Sequence, residues 1–288
     1  MSRVYVSLPL TGPTGAAGRE VLRGAELAAA DTEIVALEAS GEARDALTAE
    51  HARRAADDPR ALAFIGGFHS SQVLAAAPVL GESRFAQIAP VATYSGLRGE
   101  TLVRLMPDDR ALARAIAHWL ERTGVARLLL VHDHDDGYGV PVARMCAEAT
   151  TAEVRSRPVW DWDEDMAADL GDAQAVLYVG VAGSGAVGLW DGLHELDPSL
   201  WLLGTDGVAD PRLAREMSAG AGARTRFFST RHAPWSFYGY EALSLARAAM
   251  ASARVHAPSV HRPQTISPST TSWAAYAVLV VWPCASIE

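Results

Sequence analysis

A chain of 288 residues is long enough for one large domain or two medium ones, and 49% hydrophobic with 20% charged residues is ordinary globular composition. The formal net charge of −9, from 34 acidic against 25 basic residues, argues against a nucleic-acid partner, because phosphate binding needs a basic face. The two cysteines, Cys146 and Cys284, stand far apart with no C-x-x-C spacing, so neither a disulfide framework nor a zinc site is expected.

In chain order, short apolar runs alternate with Ala/Leu/Arg segments of helical period. VYVSLPL (4–10) reads as a strand and GAAGREVLRGAELAAAD (15–31) as a helix. EIVALEA (33–39) is a strand, ARDALTAEHARRAADD (43–58) a helix stopped by Pro59, and ALAFIG (61–66) a strand. SQVLAAAPVLGE (71–82) follows as helix and FAQIAP (85–90) as strand. The rhythm restarts with a helix at 106–124, a strand at 127–133 and a helix at 138–150. Strands are expected at 154–160, 175–181 and 201–207, with helices at 185–196 and from Asp210. RFFST (226–230) precedes a long helix at 235–253, and AAYAVLVVW (274–282) is a last strand, too short to span a bilayer. Residues 256–272 are rich in Pro, Ser and Thr without period and read as loop.

Gly- and Pro-bounded apolar runs of this length suit parallel strands covered on both faces. Two successive blocks imply two doubly wound α/β lobes, with a boundary near Leu105–Asp109. The first lobe is expected to comprise 1–107 plus 231–288 and the second 108–230. The opening MSRVYVSLPL lacks a basic segment followed by an apolar one. An extracytoplasmic place would therefore require that an export signal had been removed; otherwise the chain is expected in the cytoplasm.

In open α/β sheets, ligands sit beyond the carboxyl ends of strands, where helix N-termini point. Ser70 and Ser71 stand at such a place, and two hydroxyls beside backbone N–H groups could grip a carboxylate or simply cap the helix. Thr93 offers another hydroxyl after the next strand, or a turn bond to its own backbone. Asp206 ends LLGTDG and could meet an ammonium or cap a helix. HDHDDGYG (132–139) fails as a calcium loop in either register, since the twelfth residue is Ala143 or the sixth is Tyr138. GPTGAAG (12–18) fits neither glycine-rich nucleotide motif, and AGSGA (182–186) lacks the first Gly of a nucleophile elbow. No catalytic residues, metal or cofactor are expected.

Taken together, PLTGPTGAAGREVLRGAELAAAD, IGGFHSS, IAPVATYSGL, VRLMPDDRALARAIAHWL, LLVHDHDDGYG, LLGTDGVAD and YGYEALSLARAAM resemble, in the same order, the type I periplasmic binding proteins. The nearest group is the leucine/isoleucine/valine-binding solute receptors of ABC transporters. The resemblance implies two lobes with a ligand cleft between them. It implies that Ser70, Ser71, the Val91 backbone and Thr93 take a ligand carboxylate. Tyr138 matches the family's cleft tyrosine, and Asp206 its acid for the α-ammonium. Two family aromatic positions fall on Ala17 and Ala182, which removes bulk from the pocket. The function implied is a non-enzymatic receptor for an amino acid or similar small carboxylate, with a transporter permease as protein partner. A ligand-sensing module of a larger regulator is the alternative, and an enzyme on this scaffold a third. Trp160, Trp162 and Trp235 are left between pocket and core.

Overall fold

The structure is a computed structural model that describes residues 1–133, 137–159, 164–180, 186–209, 215–231, 233–256 and 280–283. These fall into two compact units, 1–107 with 233–256 and 108–231 with 280–283.

The first unit is built on β1 (Arg3–Leu8), β2 (Glu33–Glu38), β3 (Ala61–Ile65), β4 (Gln87–Ala89) and β5 (Leu102–Arg104). They form one parallel sheet in the order β2-β1-β3-β4-β5. Its helices are α1 (Gly15–Leu27), α2 (Arg44–Asp57), α3 (Ser70–Glu82) and, from the far end of the chain, α9 (Trp235–His256). Side chains alternate across a strand, and here both sides are apolar. Val4, Val6 and Leu8 of β1 and Ala63 and Ile65 of β3 pack on α1 and α9, with Val21, Tyr238 and Leu243. Tyr5 and Phe64 point the other way, onto Ala52 and Ala55 of α2 and Ala76 and Leu80 of α3. Each such fully buried large side chain contributes about 1.5–3 kcal/mol. Helices α1 and α9 approach until backbone meets backbone: a Cβ on Gly24 would stand 1.7 Å from the Ser236 carbonyl oxygen, and one on Gly239 1.8 Å from that of Val21.

The second unit repeats the plan. Its strands are β6 (Arg127–His132), β7 (Glu153–Pro158), β8 (Ala175–Val179), β9 (Trp201–Gly204), β10 (Thr225–Ser229) and β11 (Val280–Pro283). The order is β11-β10-β9-β8-β6-β7, so from β7 to β10 the second sheet has the same sequence of crossovers as the first. The helices are α4 (Asp109–Thr123), α5 (Gly139–Ala149), α6 (Glu164–Leu170), α7 (Ala186–Leu196) and α8 (Ala219–Arg224). Leu128, Leu130, Leu177 and Phe228 face α4 and α5. Leu129, Val131, Val176, Tyr178 and Phe227 face Trp190 and Leu193 of α7. Helix α4 starts three residues later than the reading's 106, because the Asp108 side chain accepts from the Ala111 N–H and caps it there, and Gly124 closes the helix in the left-handed conformation.

Three features differ from the chain reading. Strand β5 has no counterpart in it, because Leu102–Arg104 is three half-buried residues with no alternation to see. Helix α8, AGAGAR, is short and small-residued, and its start is set by the Ser218 hydroxyl accepting from Ala221 N. Strand β11 pairs antiparallel with β10, Val280 opposite Ser229 and Pro283 opposite Arg226, and so joins the second sheet, whereas the reading assigns 231–288 to the first lobe. The helix that returns to the first lobe is continuous to His256, but the strand after it completes the other sheet's free edge. Trp160, Trp162, Ala182, the middle of HDHDDGYG, Cys284 and residues 257–279 lie outside the described residues.

Candidate functional site

Both sheets place their polar side chains at the carboxyl edge, and each lobe holds its own set. In the first lobe, Gln72 organises the turn from β3 into α3. Its side chain is fully buried, and Oε1 accepts from the backbone N–H of Phe68 (3.1 Å) and His69 (2.9 Å). Its Nε2 donates to the Ala39 carbonyl (2.8 Å) and to Thr48 Oγ1 (3.1 Å), tying the turn to the end of β2 and to α2. On this support stand the two serines. Ser70 Oγ accepts from the backbone N–H of Tyr94 at 3.2 Å, so the β4-following segment that carries Val91 and Thr93 is brought against Ser70. Ser71 turns elsewhere: its hydroxyl donates to Asp45 Oδ1 of α2 at 2.9 Å. Val91 is buried and Thr93 half-buried. Beside Ser70, His69 Nε2 lies 3.4 Å from Thr14 Oγ1, and burial together with the positive charge of Arg44 holds the imidazole below its ordinary pKa.

In the second lobe, Tyr138 and Asp206 are brought together. The phenol donates to Asp206 Oδ1 at 2.5 Å, and Thr205 Oγ1 lies 3.1 Å from the same phenol oxygen. Thr230 donates to Asp206 Oδ2 at 3.3 Å, and the Gly207 N–H points to the Tyr138 oxygen at 3.3 Å. Burial lifts the Asp206 carboxyl above the usual carboxylate range, although these donors oppose it. Burial, and after it the charge of Asp206, pushes Tyr138 well above the usual phenol range. The result is a carboxylate held in place by hydroxyls, with no arginine among its hydrogen-bond partners among the described residues. Such a group favours a cationic partner that brings its own charge. A second tyrosine–aspartate pair, Tyr178 donating to Asp133 Oδ1 at 2.5 Å, braces the neighbouring strand ends.

The family model described as periplasmic binding protein matches residues 3–156, more than half of the chain. The chain belongs to the periplasmic binding protein family. Among solved structures, this periplasmic binding protein is similar to the leucine-binding protein LivK of Thermotoga maritima, with 21% identity, a TM-score of 0.68, and 90% of this chain and 84% of that one covered. It is similar to the branched-chain amino-acid receptor LivJ of Streptococcus pneumoniae in complex with isoleucine (17%, 0.70, 86% and 84%). It is also similar to a solute-binding protein of an ABC transporter from Rhodopseudomonas palustris in complex with 3,4-dihydroxybenzoic acid (16%, 0.68, 88% and 81%). No curated protein matches. The two-lobed α/β fold implied by the motifs is the fold of these receptors, and the family is one of binding proteins rather than enzymes. Among the described residues no helix is long and apolar enough to cross a membrane, and no cluster of three or more His, Cys, Asp or Glu could hold a metal.

The sequence singles out Ser70, Thr93 and Asp206 by their place after strands, and the family resemblance adds Tyr138. It names neither Thr205 nor Thr230, whose partners are distant in the chain, nor Gln72, which bonds both its near neighbours and the distant Ala39 and Thr48. The one available signal was Gln three residues after a helix N-cap, a capping-box spacing.

Proposed function

We propose that this periplasmic binding protein is a receptor for an amino acid or a similar small carboxylate, serving an ABC transporter from an extracytoplasmic position and handing its ligand to a membrane permease. The carboxylate is taken by the first lobe, through the Ser70 hydroxyl, the Val91 backbone and Thr93. The ammonium is taken by Asp206 in the second lobe, with Tyr138 beside it. The ligand favours a closed form because it engages both sets only there, and its differential affinity shifts the equilibrium.

The observation that carries this reading is Asp206, a carboxylate anchored by Tyr138 and Thr230 at the carboxyl edge of its sheet. Charge-assisted bonds contribute about 1.5–3 kcal/mol each. Isothermal titration against single amino acids tests it. Asp206→Ala should weaken binding about tenfold or more, and Ser70→Ala less, since a neutral hydroxyl makes the weaker bond. Undiminished affinity in Asp206→Ala removes the ammonium role. Including 3,4-dihydroxybenzoate decides whether the ligand needs an ammonium at all, since a neighbour binds that acid.

A further inference from the structure

The order β2-β1-β3 reverses direction between β1 and β3, with α1 on one face of the sheet and α3 on the other. The loops leaving those two strands open the crevice where such sheets take their ligands. Thr14 is the N-cap of α1 and His69 the N-cap of α3. Threonine at an N-cap ordinarily accepts from its own helix, yet Thr14 makes no such bond. Its Oγ1 instead lies 3.4 Å from His69 Nε2, across the reversal and one residue from Ser70. The imidazole is held edge-on by Phe68, with ring centroids 5.3 Å apart at 70°, and Phe68 in turn leans on Trp235 at 5.4 Å. Burial, and after it the charge of Arg44, holds the ring's pKa below its ordinary value, while Asp45 acts the other way.

We infer that His69 and Thr14 form a second recognition pair in the first lobe, which selects ligands carrying an uncharged hydrogen-bonding group, an amide or hydroxyl, beyond the carboxylate. This rests on the carboxylate role proposed for Ser70. The His69 side chain accepts from the Gln72 N–H at the start of α3, so its Nε2 carries the proton and donates toward Thr14, whose own hydroxyl can then donate to a ligand carbonyl oxygen or accept from an N–H. A branched aliphatic group there would take water from both without replacing its hydrogen bonds.

The test is isothermal titration of the full chain at pH 7.5 with L-glutamine and L-leucine, close in size and different in hydrogen bonding. L-glutamine should bind about tenfold tighter than L-leucine. His69→Leu should abolish or reverse that preference, and Thr14→Val should shift it the same way by less. Thr14→Val keeps the question answerable if the histidine variant folds poorly, since it removes a half-buried hydroxyl at nearly constant volume. L-leucine binding as tightly as L-glutamine in the unaltered protein, or a preference unchanged in both variants, overturns the inference while leaving the amino-acid receptor intact. Binding of neither amino acid overturns the inference, and no binding of any amino acid or small carboxylate overturns the receptor reading with it.

Discussion

Replacing Gln72 by methionine keeps the side-chain volume and removes four hydrogen bonds, those from Phe68 N and His69 N and those to Ala39 O and Thr48 Oγ1. Each such bond is worth about 1 kcal/mol net, and each buried group left orphaned costs about 1–3 kcal/mol. Thr48 keeps its bond to the Arg44 carbonyl, and the two freed N–H groups lie in a half-buried turn that water can partly reach. The expected loss is therefore about 4 kcal/mol, the lower end of that sum. Chemical denaturation followed by circular dichroism should show a lower midpoint with an unchanged slope. Thermal unfolding should fall by about 10 °C, at roughly 2–4 °C per kcal/mol for a unit of this size. Because Gln72 sets the turn that presents His69 and Ser70, ligand affinity measured well below the melting transition should fall as well. A Gln72→Met protein within about 1 kcal/mol of the parent would refute the claim that this side chain fastens the turn.

Four further outcomes are expected. Amino-acid affinity should fall on acidification through the raised pKa of Asp206, because the protonated acid no longer answers an ammonium. The ligand-free protein should gain stability from the same carboxyl over that window, since burial penalises its charged form, so titrations and unfolding curves across pH should move in opposite directions. Gly207→Ala should weaken ligand binding, because its Cβ would meet the Gly180 carbonyl oxygen at 2.1 Å and neither backbone can yield without moving Asp206; calorimetry reads the loss, and unchanged affinity would show that the Asp206 segment has slack. Cys146 is buried, with burial raising its thiol to about 12, so mass spectrometry after iodoacetamide treatment should find it unmodified in the native protein and modified once unfolded.

The lobes were readable because their strands are short, continuously apolar and bounded by Gly or Pro, the pattern of strands covered on both faces. LLLV in β6 and AVLYV in β8 show it in sequence and are buried in the fold. The same rule has nothing to grip at Leu102–Arg104, and no local pattern says that Val280–Pro283 will pair with Thr225–Ser229. Within the site, helix N-termini after strands drew attention to Ser70 and Ser71 together. Only the second hydroxyl's partner separates them: Asp45 is far away in the chain, and no spacing rule connects the two. Tyr138 and Asp206 could be named one by one, but Thr205 and Thr230 complete their network from other strand ends.

The chain leaves the first unit at residue 107 and re-enters it at 233 to supply α9. A protease that cuts once at the first crossing would yield two fragments, neither of which is a lobe. The larger fragment would still carry α9, seated on α1 of the smaller one along the close approach at Gly24 and Gly239. The nicked protein should therefore migrate as a single particle, coming apart only when the α1–α9 seam itself melts.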